Sequence, residues 1–310
     1  MTRIFTYRIQ SQDLNSISKK TLTIQNYLKS LGYSQGLIAH LKRTPNGILK
    51  NNTWAYTRDH LQVNDILTLY LEEQISSKQI LPVNLPLTIT YEDEDLMIID
   101  KPAGMPIHPS QGNHDNTLAN AVAFHYKQQQ KPFVYRCINR LDRDTTGLLI
   151  LAKNAYSAAR LSDMVGKREI HRQYLALATG KTLPSGIITA PIARADNSTI
   201  EREVNFDTGA YACTHYETLA YKNGYSLVSL QLETGRTHQI RIHMKYIGHP
   251  LPGDFLYNPD YTVIQRQALH SHKLSFQHPV TKEPMEFCSP LPTDMYHVLN
   301  FETTISNEFL

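Results

Sequence analysis

Residues 139–151 read NRLDRDTTGLLIL, and this stretch sets the first expectations for the fold and the site. Four of the five residues from Arg140 to Asp144 are charged, whereas 148–151 are all apolar. A short apolar run of this kind is typical of a strand buried on both faces. The charged residues are therefore expected at a sheet end, where side chains can converge. Asp142, flanked by arginines, could act as a nucleophile, a base or a metal ligand. A solvated turn with local salt bridges fits the same spacing.

The segments around this stretch are short strands and helices without βαβ regularity. Apolar runs predict buried strands at 96–99, 148–151, 174–178 and 225–230. Helical spacing of apolar residues predicts helices over 117–125, 155–165 and 238–246. Strands outnumber helices, so the sequence predicts an α+β body on a mixed or antiparallel sheet. We expect this body to extend over residues 88–300, followed by a tail at 301–310.

The N-terminal part is smaller and more basic. Residues 1–80 contain ten Lys and Arg against five Asp and Glu, a balance of +5, whereas the whole chain carries only +3. Residues 20–73 pattern as a compact helix–helix–β unit, with Ser34 as a good N-cap. We expect residues 1–75 to form a small module, joined to the body by a linker at 76–87 that contains serines and prolines. A basic module suits contact with a polyanion, although an ordinary solvated surface explains the charge equally well.

Composition and motifs argue against several classes of protein. Hydrophobic residues are 41% and charged residues 19% of the 310 residues, which is a globular balance. No apolar run approaches the ~20 residues of a membrane-spanning helix. The start of the chain shows no apolar signal-peptide centre, and the three cysteines are far apart in sequence. We therefore expect a cytoplasmic protein without membrane association. The sequence also contains no Walker loop, GxGxxG or GxSxG motif, the usual support for nucleotide hydrolysis, hydride transfer and serine-hydrolase chemistry.

A second polar cluster, ETGRTHQIRIH, occupies residues 233–243. A glycine turn that presents Arg236 at a predicted helix start is a good cradle for an anion. His238 and His243 are five residues apart, whereas the two histidines of a helical zinc site are four residues apart. His270 and His272 would need distant ligands. We expect core or hydrogen-bonding histidines and no bound metal, with a metal-dependent hydrolase built on these four residues as a weaker alternative. The residues alone leave an enzyme with a carboxylate and arginines, or a nucleic-acid-binding protein.

Five motifs in this order resemble those of the RluA-type family of RNA pseudouridine synthases. The first stretch is similar to the family signature HRLDxxTSG. The other matching segments are KPAGMPIHPS at 101–110, KREIHRQYLA at 167–176, GRTHQIR at 235–241 and RQALHSH at 266–272, the last continued by FQHP at 276–279. The match covers roughly residues 88–295. It implies an α+β catalytic domain on a mixed or antiparallel sheet, preceded by a small α/β RNA-binding domain.

Two positions depart from the family signature. Asn139 stands in place of the usual histidine, and Thr146 in place of the usual serine. Asn139 retains hydrogen bonding but cannot become cationic, and Thr146 retains a hydroxyl. Both are expected among the substrate-binding residues. Because Asp142 is present, the resemblance still implies an active isomerase. An RNA-binding or ribosome-assembly factor that has lost catalysis is the alternative that Asn139 suggests.

The resemblance implies conversion of uridine in RNA to its C-glycoside isomer, pseudouridine, without a cofactor or metal. The base must leave its stack, the glycosidic bond breaks, the uracil turns, and C5 becomes attached to the ribose. Asp142 is implied as the essential carboxylate, acting on the ribose, on the ring or in base departure, with Arg236 as the cation that secures it. Tyr174 is expected to stack on or beside the uracil and could act as the base in proton removal, with a buried tyrosine that holds two strands as its alternative role. Arg140 is expected in the gap left by the flipped nucleotide, with a salt bridge to Asp144 as its alternative role.

The unit at about 20–73 resembles the small RNA-binding module shared with ribosomal protein S-four. The cations expected to contact RNA phosphates are Lys29, Lys42, Arg43 and Lys50. The implied partner is RNA, with large-subunit ribosomal RNA favoured and transfer RNA as a second candidate. No obligate protein partner is expected.

Overall fold

The computed structural model describes residues 2–15, 22–72, 77, 80–196 and 198–299. The predicted tail and part of the predicted linker lie outside these residues. The helices are α1 (Ser11–Asn15), α2 (Ile24–Ser30), α3 (Gln35–Arg43), α4 (Leu118–Gln128), α5 (Ala155–Gly166), α6 (Gln239–Tyr246) and α7 (Thr293–Leu299). The strands are β1 (Thr2–Arg8), β2 (Ile48–Lys50), β3 (Thr53–Trp54), β4 (Ile66–Glu72), β5 (Thr88–Glu92), β6 (Leu96–Lys101), β7 (Thr146–Ala152), β8 (His171–Thr179), β9 (Ser185–Thr189), β10 (Ile192–Arg194), β11 (Arg202–Val204), β12 (Cys213–Lys222), β13 (Tyr225–Leu232), β14 (Leu269–Gln277) and β15 (Pro284–Cys288).

The N-terminal unit is a four-stranded antiparallel sheet, in the order β1-β4-β2-β3, packed against α2 and α3. Both helices begin at a side-chain cap, of which only Ser34 was predicted. The hydroxyl of Thr23 accepts a hydrogen bond from the Asn26 amide, and that of Ser34 accepts one from the Leu37 amide at 3.2 Å. β1 pairs with β4 along its whole length, so the sheet extends beyond the predicted core at 20–73 but lies within the range 1–75 predicted for the module.

The body is built on a mixed sheet with the strand order β5-β6-β7-β14-β8-β13-β12-β9, to which β15 adds by pairing with β14. Strands β7 and β14 run parallel, and the other described pairs in this sheet are antiparallel. The predicted α+β fold on a mixed or antiparallel sheet is therefore confirmed. No helix among the described residues has the length and apolar character needed to cross a bilayer.

Helices cover both faces of the central strands. Leu149 and Leu151 of β7 share a core with α4 and α6, whereas Leu148 and Ile150 pack with α5. Successive side chains of a strand point to opposite faces, so a strand covered on both sides is apolar at every position. This explains the uninterrupted apolar run at 148–151. The charged loop comes directly before β7.

The N-terminal unit docks on the body through β1 and α5. The Arg3 guanidinium donates hydrogen bonds from Nε and Nη2 to the two carboxylate oxygens of Asp95, at 3.0 and 2.9 Å. The ring of Tyr156 lies 4.9 Å from that of Phe5 and 4.5 Å from that of Tyr33, measured between centroids. A bidentate ion pair and a shared aromatic core together fix the orientation of the unit on the body.

Candidate active site

The loop that carries Asp142 ends where the parallel pairing of β7 and β14 begins. Thr146 pairs with His270 and Gly147 with Ser271 at this point. Gly147 has φ +104°, and a Cβ atom there would lie 2.3 Å from the Ser271 carbonyl oxygen. Only glycine combines this left-handed backbone with such a close approach. Glycine is therefore required at the point where the Asp142 loop joins β7.

Asp142 lines a cleft of about 950 Å³. Three segments form its walls: the loop 138–142 with Thr145, the stretch 170–174 that enters β8, and residues 231–241. The arginines and lysines in its lining are Arg140, Arg168, Arg172, Arg236, Arg241 and Lys273, and the acidic residues are Asp142, Glu233 and Glu286. Six cations against three carboxylates make the cleft suited to a polyanionic ligand.

The carboxylate of Asp142 is held by Arg241. Nη1 of Arg241 donates a hydrogen bond to Oδ2 of Asp142 at 2.8 Å. Nε and Nη2 of the same guanidinium bind both oxygens of Asp254, at 2.6 and 2.7 Å. Arg241 is only 1% exposed. Burial alone would lower its pKa, but the hydrogen bonds to Asp254 and the charges of both carboxylates outweigh it and raise the pKa. Asp142 therefore faces a permanently cationic partner.

The prediction that Arg236 secures Asp142 is wrong. Arg236 lies in the turn before α6, is exposed, and donates from Nε to the Tyr211 carbonyl oxygen at 3.0 Å. Arg241 lies within α6, on the face that the helix buries. The sequence held a signal for this choice: Met244, on the apolar side of the predicted helix, is three residues from Arg241 and so neighbours it on the helix surface. A buried cation such as Arg241 needs an acidic partner to compensate its charge.

His238 closes one side of the Asp142 carboxylate. It precedes α6 with φ +58°, a left-handed backbone that is uncommon for residues other than glycine. Its Nδ1 is hydrogen bonded to the Tyr257 hydroxyl at 2.9 Å, and its Nε2 lies 4.0 Å from Oδ2 of Asp142. Burial lowers the pKa of His238, partly offset by the charge of Asp142. The imidazole is thus held close to the carboxylate chiefly in its neutral form.

The structure also brings Tyr174 and Arg140 to the cleft. Tyr174, on β8, is 4% exposed, and among the described residues its hydroxyl has no hydrogen-bond partner. Arg140 is exposed at the cleft wall. Its alternative role as a partner of Asp144 is not observed, because Asp144 pairs with Arg143 at 2.8 Å. Arg140 is therefore available to a ligand, whereas Tyr174 is largely buried in the core and presents only a small part of its surface to the cleft.

The two departures from the family signature have different positions. Asn139 lines the cleft and is 4% exposed, and its Oδ1 accepts a hydrogen bond from the Ile150 amide at 2.8 Å. Its Nδ2 is the one buried side-chain polar atom without a partner in the described part of the chain. Thr146 does not line the cleft. Its hydroxyl bonds with Nδ1 of His270 at 2.9 Å, and its contact with substrate stays a prediction.

Lys101 supports the Asp142 loop and was not predicted as a site residue. Its side chain is fully buried, and its Nζ donates to the carbonyl oxygens of Pro102 at 2.7 Å and Arg143 at 2.8 Å. Burial lowers its pKa to about 7, although the charges of Asp144 and Asp142 oppose the shift. The lysine ties the end of β6 to the residue that follows Asp142. The KPAG match at 101–104 was the signal available for it.

Two side-chain clusters have the ligand types and spacing to hold a metal ion. One is Cys213, His215 and Glu233 at the edge of the cleft, and the other is Asp93, Asp95 and His278. In the first, Nε2 of His215 and Oε1 of Glu233 form an ion pair at 2.6 Å. In the second, Asp95 is already bound to Arg3. The absence of a metal or cofactor stays a prediction.

The four histidines of the hydrolase alternative do not form a ligand cluster among the described residues. His243 bonds with the Thr214 hydroxyl at 2.8 Å and lies 2.9 Å from the Ala190 carbonyl oxygen. His270 and His272 both lie close to the carbonyl oxygen of Ser289. They serve as buried hydrogen-bonding residues, as their spacing predicted.

Of the four cations expected to contact RNA in the N-terminal unit, one already has partners. Lys50 pairs with Asp65 at 3.0 Å and donates to the His60 carbonyl oxygen at 2.8 Å. Lys29, Lys42 and Arg43 are exposed and form no ion pair with any described residue. These three are the better candidates for phosphate contacts.

Comparison with known proteins identifies the family. The model of the family described as RNA pseudouridylate synthase matches residues 95–246. An uncharacterized RNA pseudouridine synthase of Bacillus subtilis is 37% identical over 282 residues, which is 91% of this chain and 99% of that protein. The chain belongs to the RluA-type family of RNA pseudouridine synthases. The predicted isomerase is therefore confirmed, and the comparisons give no support to the inactive-factor alternative.

Other relatives of this synthase agree. Ribosomal large subunit pseudouridine synthase D of Vibrio cholerae is 39% identical over 226 residues, covering 68% of this chain and 69% of that one. The structure of human RNA pseudouridylate synthase domain containing 1 matches 66% of this chain and 83% of its own, with 26% identity and a TM-score of 0.55. The structure of human RNA pseudouridylate synthase domain containing 4, at 21% sequence identity and a TM-score of 0.56, shares the fold.

Proposed function

We propose that this synthase isomerises specific uridines of large-subunit ribosomal RNA, with Asp142 as its catalytic carboxylate. The choice of RNA is supported by the names of relatives such as the Vibrio cholerae synthase, which acts on the ribosomal large subunit. The predicted cytoplasmic location stays a prediction, consistent with the three free cysteines.

The observation that carries the catalytic assignment is the asymmetry of the Asp142 carboxylate. Its Oδ2 is bound by Arg241, whereas its Oδ1 has no hydrogen-bond partner among the described residues. The side chain is 31% exposed in the cleft. Attack on the ribose, attack on the ring and assistance to base departure each need an ionised, accessible oxygen. Oδ1 meets this requirement while Arg241 stabilises the charge.

The other cleft residues have roles that follow from their positions. Tyr174 offers an aromatic surface for uracil, and its unpartnered hydroxyl can exchange a proton with the ring. Arg140, exposed at the wall, can occupy the stack vacated by the nucleotide and contact phosphate. The reaction needs no external reagent. The N1–C1′ bond breaks, the C5–C1′ bond forms, and the proton lost from C5 is balanced by one gained at the released ring nitrogen.

Turnover on unmodified large-subunit ribosomal RNA transcript tests this proposal, with pseudouridine mapped by chemical modification and primer extension. Asp142→Asn and Asp142→Ala should form no product and still bind RNA. Asp163→Asn, which alters a surface carboxylate on α5, is the matched control and should retain full turnover. Product formation by Asp142→Ala would refute the catalytic assignment. Product on transfer RNA transcripts alone would replace the proposed substrate class.

A further inference from the structure

Trp54 and Tyr56 form an exposed aromatic pair on the N-terminal unit. They are 52% and 50% exposed, and their ring centroids lie 4.9 Å apart. The core of the unit uses other aromatic residues, including Phe5, Tyr27 and Tyr33, which are buried. Folding therefore does not require Trp54 and Tyr56 to be aromatic. Two large adjacent rings left half in water are typical of a contact surface.

The backbone that carries the pair is firmly held. Trp54 lies on β3, the edge strand of the sheet, and is paired with Leu49 of β2. The next residue, Ala55, is buried and donates its amide to the Ile48 carbonyl oxygen at 3.0 Å. The amide of Tyr56 is bound by the Asp59 carboxylate at 2.7 Å. The rings thus project from a fixed scaffold, which reduces the entropy lost when a ligand binds.

Arg58 places a positive charge over the Tyr56 ring, whereas the nearby Asp59 carboxylate is bound to the Tyr56 backbone amide. The guanidinium carbon of Arg58 lies 5.1 Å from the centroid of the Tyr56 ring. Arg58 is exposed and forms no ion pair within the described part of the chain. Lys42 and Arg43 of the same unit are likewise exposed and unpaired. An anionic ligand with a flat apolar surface complements this combination better than an apolar peptide does.

We propose that Trp54, Tyr56 and Arg58 form a platform on which an unpaired base of the RNA substrate stacks. The identity of the ligand rests on the proposed function, since the family acts on RNA. A base stacks on an aromatic ring regardless of its sequence, and a guanidinium beside the ring adds cation–π attraction and a phosphate contact. The platform belongs to the N-terminal unit and is separate from the cleft that holds Asp142. It recognises RNA outside the reacting nucleotide.

The single tryptophan of the chain provides a direct readout. Fluorescence of the full-length protein, excited at the long-wavelength edge where the 18 tyrosines do not absorb, reports on Trp54 alone. Titration with a single-stranded RNA oligonucleotide should quench this emission and protect it from acrylamide. A fully paired RNA duplex of the same composition, with its binding followed by anisotropy of a labelled strand, should bind without comparable quenching. Binding of single-stranded RNA that leaves the emission of Trp54 unchanged would overturn the proposal.

Substitutions separate stacking from mere proximity. Trp54→Ala and Tyr56→Ala should weaken single-stranded RNA binding about 5- to 150-fold, the range expected for one lost base–aromatic stack. Trp54→Phe keeps a ring and should retain most of the affinity. Tyr221→Ala is the matched control, because Tyr221 is 48% exposed with Lys181 at 5.9 Å from its ring but lies on β12 of the body. The affinity of Tyr221→Ala for single-stranded RNA should equal that of the wild type.

Pseudouridine formation by Trp54→Ala distinguishes this proposal from the proposed function. At saturating enzyme, single-turnover isomerisation should match that of the wild type, because the platform is not part of the cleft. Wild-type affinity in Trp54→Ala would refute the platform and assign the aromatic pair to another class of partner, such as a protein. Lack of turnover by the wild type would refute the proposed function and leave the fluorescence result intact.

Discussion

Arg241 and Asp142 are joined by a hydrogen bond of 2.8 Å between Nη1 and Oδ2, although they are 99 residues apart in the chain. The guanidinium is inaccessible to water and is held on its other side by Asp254. One cation thus bridges two carboxylates, leaving the cluster with one net negative charge at the cleft. The bridge fixes one oxygen of Asp142 and leaves the other without a hydrogen-bond partner among the described residues, as the proposed catalytic role requires.

Substitution of Arg241 by lysine should greatly impair catalysis. An ammonium cannot donate to both carboxylates with the planar geometry of a guanidinium, so Asp142 loses its fixed orientation. Loss of one charge-assisted hydrogen bond predicts a decrease in single-turnover rate of about 10- to 100-fold. The measurement is single-turnover pseudouridine formation at saturating enzyme, with circular dichroism as the check on folding.

Arg236→Lys is the matched comparison, since it alters the neighbouring arginine that does not contact Asp142. Its chemical step should fall less than threefold, whereas RNA affinity can weaken because Arg236 lines the cleft. A larger loss of rate in Arg236→Lys than in Arg241→Lys would contradict the assignment of Arg241.

Gly147→Ala should destabilise the protein strongly. The new methyl group would meet the Ser271 carbonyl oxygen at 2.3 Å on a backbone with φ +104°. The free energy of unfolding is expected to fall by about 2–4 kcal/mol, measured by urea denaturation. Gly36→Ala, in α3 with no atom near its added Cβ, should be neutral or stabilising by up to about 1 kcal/mol. Equal stability of the two variants would show that β7 and β14 can separate at this point.

Lys101 should make stability increase with pH above neutrality. In the unfolded chain it titrates near 10.5, whereas its pKa in the folded protein is about 7. Between these values the unfolded state binds a proton that the folded state lacks, so deprotonation favours folding. Below about pH 7 both states are protonated and the contribution of Lys101 becomes constant. The unfolding free energy of the wild type, minus that of Lys101→Met, should therefore rise between about pH 7 and 9.

Lys131→Met is the control for this pH dependence, since Lys131 is exposed. It measures the effect of replacing an exposed lysine by methionine, which is subtracted from that of Lys101→Met. A difference that does not change with pH would show that Lys101 keeps its charge when buried.

Arg3→Met should loosen the N-terminal unit. It removes two charge-assisted hydrogen bonds and leaves the carboxylate of Asp95 buried without its cation. Stability should decrease by about 1–3 kcal/mol, and limited proteolysis should cut between the unit and the body more rapidly. Arg8→Met is in the same strand, and the only side-chain hydrogen bond of Arg8 within the described residues is to Asn64 at the surface, so this variant should resemble the wild type. If proteolysis of Arg3→Met is unchanged, the N-terminal unit is attached to the body mainly by the contacts of Tyr156.

The sequence by itself determined the local structure and the family. Ser34 and the spacing of apolar residues located α3, and the uninterrupted run at 148–151 predicted a strand covered on both faces. These features depend on backbone propensity and on periodicity within a few residues, so they can be read along the chain. The five motifs identified the family, and the resemblance to that family predicted that Asp142, Arg140 and Tyr174 share one site.

Only the tertiary structure decided which arginine meets Asp142. Arg236 and Arg241 both belong to the GRTHQIR motif, and their charges are identical. The difference lies in burial. Arg241 is turned inward by α6 and compensated by Asp254, whereas Arg236 remains in a solvated turn. The hydrogen bonds of Arg3 with Asp95 and of Thr146 with His270 likewise join residues that are 92 and 124 positions apart. Such pairings depend on how distant elements pack, and this information is not carried by any local pattern.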